Sequence, residues 1–177
     1  MTNTLQIKLL SEKATMPTRN HDTDAGFDIY AAETVVLEPQ EKALIATDIA
    51  VNIPKGYVGL LTSRSGVSSK THLVIETGKI DAGFHGNMKI NIKNDNEALA
   101  SYDSYSFRPL ALDIADEIIP VDSDYKEEVM IGTYVINKGD KLAQLVIVPI
   151  VTPQLQVVDE FSEVTERGEK GFGSSGY

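Results

Sequence analysis

Hydrophobic and polar residues alternate with a period of two along much of this chain, the pattern of strands with one face buried and one in water. Leu5, Ile7 and Leu9 alternate with Gln6 and Lys8, and Met88, Ile90 and Ile92 with Lys89, Asn91 and Lys93. Apolar or β-branched runs at Val35–Leu37, 44–53, 57–62, Leu73–Ile75, 133–136, 141–151 and 155–158 read as further strands. Turn signals separate them: Glu38-Pro39, Pro54-Lys55-Gly56, Gly83, Asn137-Lys138-Gly139-Asp140 and Thr152-Pro153. Short strands at this spacing predict an all-β sandwich or barrel, not a parallel α/β fold. A short helix is predicted at Ser65–Lys70. Over 109–119 two readings stand, because Leu110, Ile114 and Ile118 share a helical face while Leu110, Leu112 and Ile114 alternate.

At 177 residues with 42% hydrophobic content, the chain suits one domain with its own core. It holds no cysteine, which excludes disulfides and thiolate metal sites. No apolar run reaches membrane-spanning length and no signal segment opens the chain, so a soluble, cytoplasmic protein is expected (host cytoplasm, if virus-encoded). A net charge of −10 argues against general affinity for nucleic-acid backbones. That charge is concentrated: residues 95–131 carry ten acids against Arg108 and Lys126, and the other 140 residues are nearly neutral, at −2. A nearly neutral body can host a polyanionic ligand that a uniformly acidic one would repel.

Four internal segments combine small residues with polar groups. They are Asp24-Ala-Gly-Phe-Asp-Ile-Tyr-Ala31, Ser63-Arg-Ser-Gly66, Gly78-Lys-Ile-Asp-Ala-Gly-Phe-His-Gly86 and Lys138-Gly-Asp-Lys-Leu-Ala-Gln-Leu-Val146. The second gathers a guanidinium, two hydroxyls and a glycine amide, which is phosphate-binding equipment. The third sets a carboxylate in a tight turn beside an aromatic, and the fourth puts one amide, Gln144, in an apolar strand. Taken singly, each also reads as a hairpin turn, a capped helix or a hydrogen-bonded core amide. The last eleven residues, Arg167-Gly-Glu-Lys-Gly-Phe-Gly-Ser-Ser-Gly-Tyr177, hold four glycines and are too entropic to stay ordered alone. Their arginine, aromatic ring and paired hydroxyls suit a lid over a nucleoside phosphate; a solvated terminus is the alternative.

In this order along one chain, the five segments resemble the five motifs of the homotrimeric dUTP diphosphatases (dUTPases), leaving out only the acidic segment. The resemblance implies a distorted jelly-roll (β-clip-like) barrel, three subunits sharing three interfacial sites, and C-terminal tails swapped onto neighbouring sites. It divides the chain into a core of 1–94 and 132–166, an acidic insertion of 95–131 and a lid of 167–177. The reaction implied is dUTP plus water giving dUMP and pyrophosphate, with Mg²⁺ on the triphosphate, which limits uracil in DNA and supplies dUMP.

By the same resemblance, Asp81 activates the water that attacks the α-phosphorus. Asp28 holds Mg²⁺ through water, as suits an ion that sheds its hydration reluctantly. Arg64, Ser65, Gly66 and Gln144 bind phosphates, while main-chain groups of 78–86 select uracil, with Gly78, Ile80, Phe84 and Lys89 at substrate-binding positions. Phe84 packs where a ribose 2′-hydroxyl would go. From the tail, Arg167, Gly173, Ser174 and Ser175 grip the phosphates, and Phe172 stacks on the base. The family's usual tyrosine is Phe84 here, a common asparagine is Ile75, and Ser175 stands where threonine is usual; His85 is expected to serve the turn. The related dCTP deaminases share a similar hairpin but need a glutamate where this chain has Asn91, which cannot shuttle protons.

Asp81 and Gln144 are 63 positions apart, about twice the family's usual separation, so roughly 35 residues are inserted. The insertion is rich enough in apolar residues to fold as a small subdomain. It is either a solvated elaboration packed on the barrel or a docking surface for a basic protein. In this it is similar to phage-encoded dUTPases with an insertion here, some of which bind a repressor.

Overall fold

A computed structural model describes residues 4–98, 107–122, 124–166 and 168–169. The described residues form fifteen strands and one short helix. The strands before the helix are β1 (Gln6–Leu9), β2 (Gly26–Tyr30), β3 (Val35–Leu37), β4 (Lys42–Ala46), β5 (Ile49–Asn52) and β6 (Tyr57–Ser63). Helix α1 (Ser65–Lys70) leads into β7 (Leu73–Ile75), β8 (Gly78–Ile80) and β9 (Lys89–Asn94). Then come β10 (Phe107–Arg108), β11 (Leu110–Leu112), β12 (Ile118–Pro120), β13 (Val129–Met130), β14 (Tyr134–Ile136) and β15 (Lys141–Pro149). No described helix is long and apolar enough to cross a membrane.

The strands pair in small sheets ordered β2-β15-β6-β8, β4-β9-β7, β12-β11-β14-β3, β1-β5 and β10-β13. Their inward residues, among them Ile29, Ile45, Ile90, Ile92, Ile136 and Leu145, meet in one buried cluster. The expected all-β, jelly-roll-like architecture is what the chain adopts. Alternation works here because each strand turns one face to that cluster: in β9, Ile90 and Ile92 are buried while Lys89 stays exposed.

Two expectations are corrected and one open reading is decided. The run 44–53 is two strands, because Asp48 turns the chain at φ 52° and its carboxylate accepts from Ser11 Oγ (2.5 Å) and Asn87 Nδ2 (2.7 Å). Residues 155–158 form no strand; they are exposed in the segment that follows β15. Residues 109–119 resolve as β rather than helix. Asp113 Oδ1 accepts from the Ala115 and Glu117 amides (2.8 and 2.9 Å), closing a turn that folds β12 back on β11.

Within residues 95–131, β11 joins the β14–β3 sheet through a parallel pairing of Leu112 with Tyr134. Ala111 and Val129 pack with Val135 of β14 in a second, smaller buried cluster. The chain leaves and re-enters the body at one clamp: buried Asn94 donates through Nδ2 to Leu37 O (3.0 Å) and Gly132 O (2.8 Å). Lys126 pairs with Glu38 at 2.7 Å, and the Tyr134 hydroxyl donates to Asp116 Oδ1 at 2.7 Å.

Candidate active site

The β2-β15-β6 sheet brings three of the four internal segments to one place. Antiparallel register sets Gln144 of β15 opposite Asp28 on one side and Thr62 on the other. Arg64 follows β6 and is the N-cap of α1, in extended conformation (φ −76°, ψ 141°) that sends its side chain back over the sheet. Gly26 lets the strands approach: a Cβ there would stand 3.1 Å from both Gln144 Cβ and Val146 Cγ2.

Asp28 is only 3% exposed, and each of its oxygens faces a cation. Arg64 Nε donates to Oδ1 at 2.8 Å, while Lys141 Nζ stands 3.1 Å from Oδ2. Oδ2 receives the ammonium's charge but no N–H aimed squarely at it. Burial by itself would raise the Asp28 pKa; Lys141, Arg64 and the neighbouring Gln144 amide outweigh it and hold the carboxyl below its usual value. The Lys141 ammonium is correspondingly raised, first by Asp28. Lys141 was missed as a site residue because a lysine opening a strand reads as solvated. The signal that could have found it is Leu142-Ala143, two consecutive buried residues that break the alternation of β15.

Ser65 and Gly66 occupy the exposed first turn of α1, beside this cluster, and no atom lies within 4 Å of where a Gly66 Cβ would be. The third segment lies elsewhere. Strand β8 pairs with β6 so that Gly78 faces Leu61 and Ile80 faces Gly59, and the chain then turns at exposed Asp81. Asp81 therefore falls opposite Val58, near the end of β6 away from Arg64, about 20 Å along the strand at about 3.3 Å per residue. Its turn closes through Phe84 N–H donating to Asp81 O (3.1 Å), with Gly83 at φ 94°. Phe84 is 46% exposed, and its ring lies over Gly86, where a Cβ would meet Cζ at 2.7 Å. His85 Nε2 lies 3.1 Å from Asn52 Oδ1, so its contact is structural. Lys89 opens β9 on its exposed face. Ile75 is buried in the main cluster. Asn91 donates to Glu76 Oε2 at 2.7 Å. Arg167, Phe172, Gly173, Ser174 and Ser175 lie outside the described residues.

Comparison with known proteins fits this arrangement. The dUTPase family model matches residues 12–105 and 116–176. A deoxyuridine 5′-triphosphate nucleotidohydrolase of Mycobacterium marinum is 37% identical over 99% of this chain and 97% of its own length. The dUTPase of Staphylococcus bacteriophage 80alpha, solved with dUpNHpp, is 65% identical, covers 99% of this chain and all of its own, and superposes with a TM-score of 0.88. That work describes phage dUTPases as controlling transfer of virulence genes by a proto-oncogenic G protein-like mechanism. A mutant dUTPase of phage phi11 of S. aureus, reported for its coordination of a structural Mg(II) ion, is 66% identical over 91% of this chain and all of its own, with a TM-score of 0.84. Five segments in family order, the shared fold and these identities make this chain a member of the dUTPase family.

Proposed function

We infer that this dUTPase divides the hydrolysis of dUTP to dUMP and pyrophosphate between the two ends of its β2-β15-β6-β8 sheet. At one end Arg64, Ser65, Gly66 and Gln144 hold phosphate oxygens. At the other, the turn at 78–86 presents uracil-reading main-chain groups, the Phe84 ring against the sugar, and the Asp81 carboxylate as base for the attacking water. Little covalent chemistry is asked of the protein beyond aiming that water in line and neutralising the leaving pyrophosphate. Arg167, Phe172, Gly173, Ser174 and Ser175 close over the substrate from the tail.

The observation that carries this reading is the separation of the two halves along β6. Within one chain Asp81 and Arg64 stand at opposite ends of β6, which favours a site completed by a second copy. A head-to-tail ring of three supplies three such sites. The segment after β15 supports a swapped tail: Val151, Leu155, Val157 and Phe161 are 92%, 98%, 99% and 89% exposed. Apolar side chains in such number are what a neighbouring subunit covers.

Magnesium fits this site in one mode. Among the described residues no three His, Asp or Glu side chains cluster as ligands, and Asp28 already lies between two cations. The donor set therefore suits an ion that arrives on the triphosphate and meets Asp28 through water, rather than a resident ion held by side chains. Bound there, it would neutralise charge on the phosphates.

The test is pyrophosphate release from dUTP, dTTP, dCTP and UTP with and without Mg²⁺. Turnover is expected only with dUTP and Mg²⁺, and Asp81→Asn should lower kcat by about 10²–10⁴. An Asp81→Asn enzyme with near-normal kcat would remove Asp81 from the chemistry.

A second role, docking of a basic protein on residues 95–131, is favoured by the ten acids concentrated there and by exposed Leu110, Ile118 and Tyr125 beside them. Deleting these residues should then abolish a protein interaction while hydrolysis persists; loss of neither would end that reading.

A further inference from the structure

Lys141 touches the Asp28–Arg64 pair from two directions. Its ammonium stands 3.1 Å from Asp28 Oδ2, and its carbonyl accepts from Arg64 Nη1 at 3.4 Å. It lies 5.7 Å from the centroid of the Tyr30 ring, a cation–π distance that steadies the side chain. A β-bulge puts it there. Gln144 pairs with Asp28 and Ala143 with Ile29, but Lys141, not Leu142, pairs with Tyr30. The extra residue shifts the phase of the strand, so Leu142 turns into the core beside Ala143 and Lys141 emerges on the face of Gln144.

Asp28 and Arg64 alone would cancel, leaving a neutral pair with nothing net to offer an anion. With Lys141 the cluster is one carboxylate and two cations, a net +1 on a largely buried sheet where charge is weakly screened. The guanidinium, pinned by Asp28 at Nε and by the Lys141 carbonyl at Nη1, still has N–H groups to direct outward.

We propose that Lys141 is a positioning residue of the phosphate site: its ammonium neutralises Asp28 so that the Arg64 charge remains available to the triphosphate. The inference rests on the hydrolase reading of the same site. It predicts that Lys141 acts on binding of the anionic substrate, with little part in the chemical step.

The experiment compares wild type, Lys141→Met and Lys141→Arg by dUTP turnover, calorimetric affinity for dUpNHpp with Mg²⁺, and thermal melting. For Lys141→Met, KM and the dUpNHpp Kd should rise about tenfold or more, as loss of a charge-assisted interaction implies, with kcat within about threefold of wild type. Lys141→Arg, which keeps the charge, should recover affinity to within about threefold. Three results overturn the proposal: unchanged affinity in a folded Lys141→Met protein, Lys141→Arg as weak as Lys141→Met, or a loss confined to kcat. Wild type without dUTP turnover would instead refute the hydrolase reading, so the two failures are distinguishable.

Discussion

A buried tyrosine and a glycine under an aromatic ring show how single residues act here. Tyr134 is fully buried, donates to Asp116 Oδ1 and accepts from the His72 amide at 3.1 Å. Burial first, then Asp116, pushes its pKa from 10.0 to about 12, with the His72 amide opposing. The neutral phenol is the form the fold favours, so its contribution is complete below pH 10 and lost as pH climbs toward 12. Melts at rising pH should show the stability gap between wild type and Tyr134→Phe shrinking above pH 10, by about 2 kcal/mol. At Gly86, an added methyl would displace the Phe84 ring rather than the backbone, since the ring edge is what it meets. Gly86→Ala should therefore fold normally and lower the dUTP-over-UTP preference in kcat/KM by about tenfold, the scale of one lost packing contact. An unchanged preference would separate the ring from sugar discrimination. Ile75 belongs at this scale too: the sequence marked it as a departure near the site, and burial made it a core residue, because Leu73 and Ile75 share the inward face of β7.

Elements were legible where alternation was clean. Strands β1, β3, β6, β7, β9 and β14, and α1, fall where period and turn signals set them, because one face of each meets the core. Strands β2 and β8 lie inside segments read for their polar residues, and so escaped a reading by hydrophobicity. The 109–119 ambiguity arose because three apolar residues served either period; the Asp113 turn that folds β12 back on β11, with Leu112 pairing Tyr134 of β14, decided it. Where the acidic segment joins the body, Asn94 is the element-scale determinant. Asn94→Ala would take the side-chain donor from the carbonyl of buried Leu37, leave Gly132 O to Asn96 and remove the acceptor of the Asn96 amide. A loss of at least about 2 kcal/mol is expected in denaturant unfolding. A smaller loss would mean that Asn96, which also donates to Gly132 O at 2.8 Å, carries the clamp by itself.

For the whole molecule, the proposed division of the site between copies of the chain makes a complementation prediction. Asp81→Asn and Arg64→Ala should each be inactive alone. Refolded together at equal concentration, they should regain about a quarter of wild-type turnover, since about one site in four draws an intact Asp81 and an intact Arg64 from neighbouring subunits. No recovery in mixed, properly assembled protein would mean that each chain completes its own site.

Residue chemistry and local period by themselves determined that this chain is built of strands, that Ser63-Arg-Ser-Gly66 suits phosphate, and that the acids gather in residues 95–131. Those properties depend on neighbours a few positions apart. Tertiary structure alone decided that Asp28 lies under Lys141 and Arg64, that a bulge puts Lys141 on the Gln144 face, and that Asp81 stands at the opposite end of β6. Register between strands distant in sequence sets all three, and register follows from what the shared core will bury, which no single strand encodes.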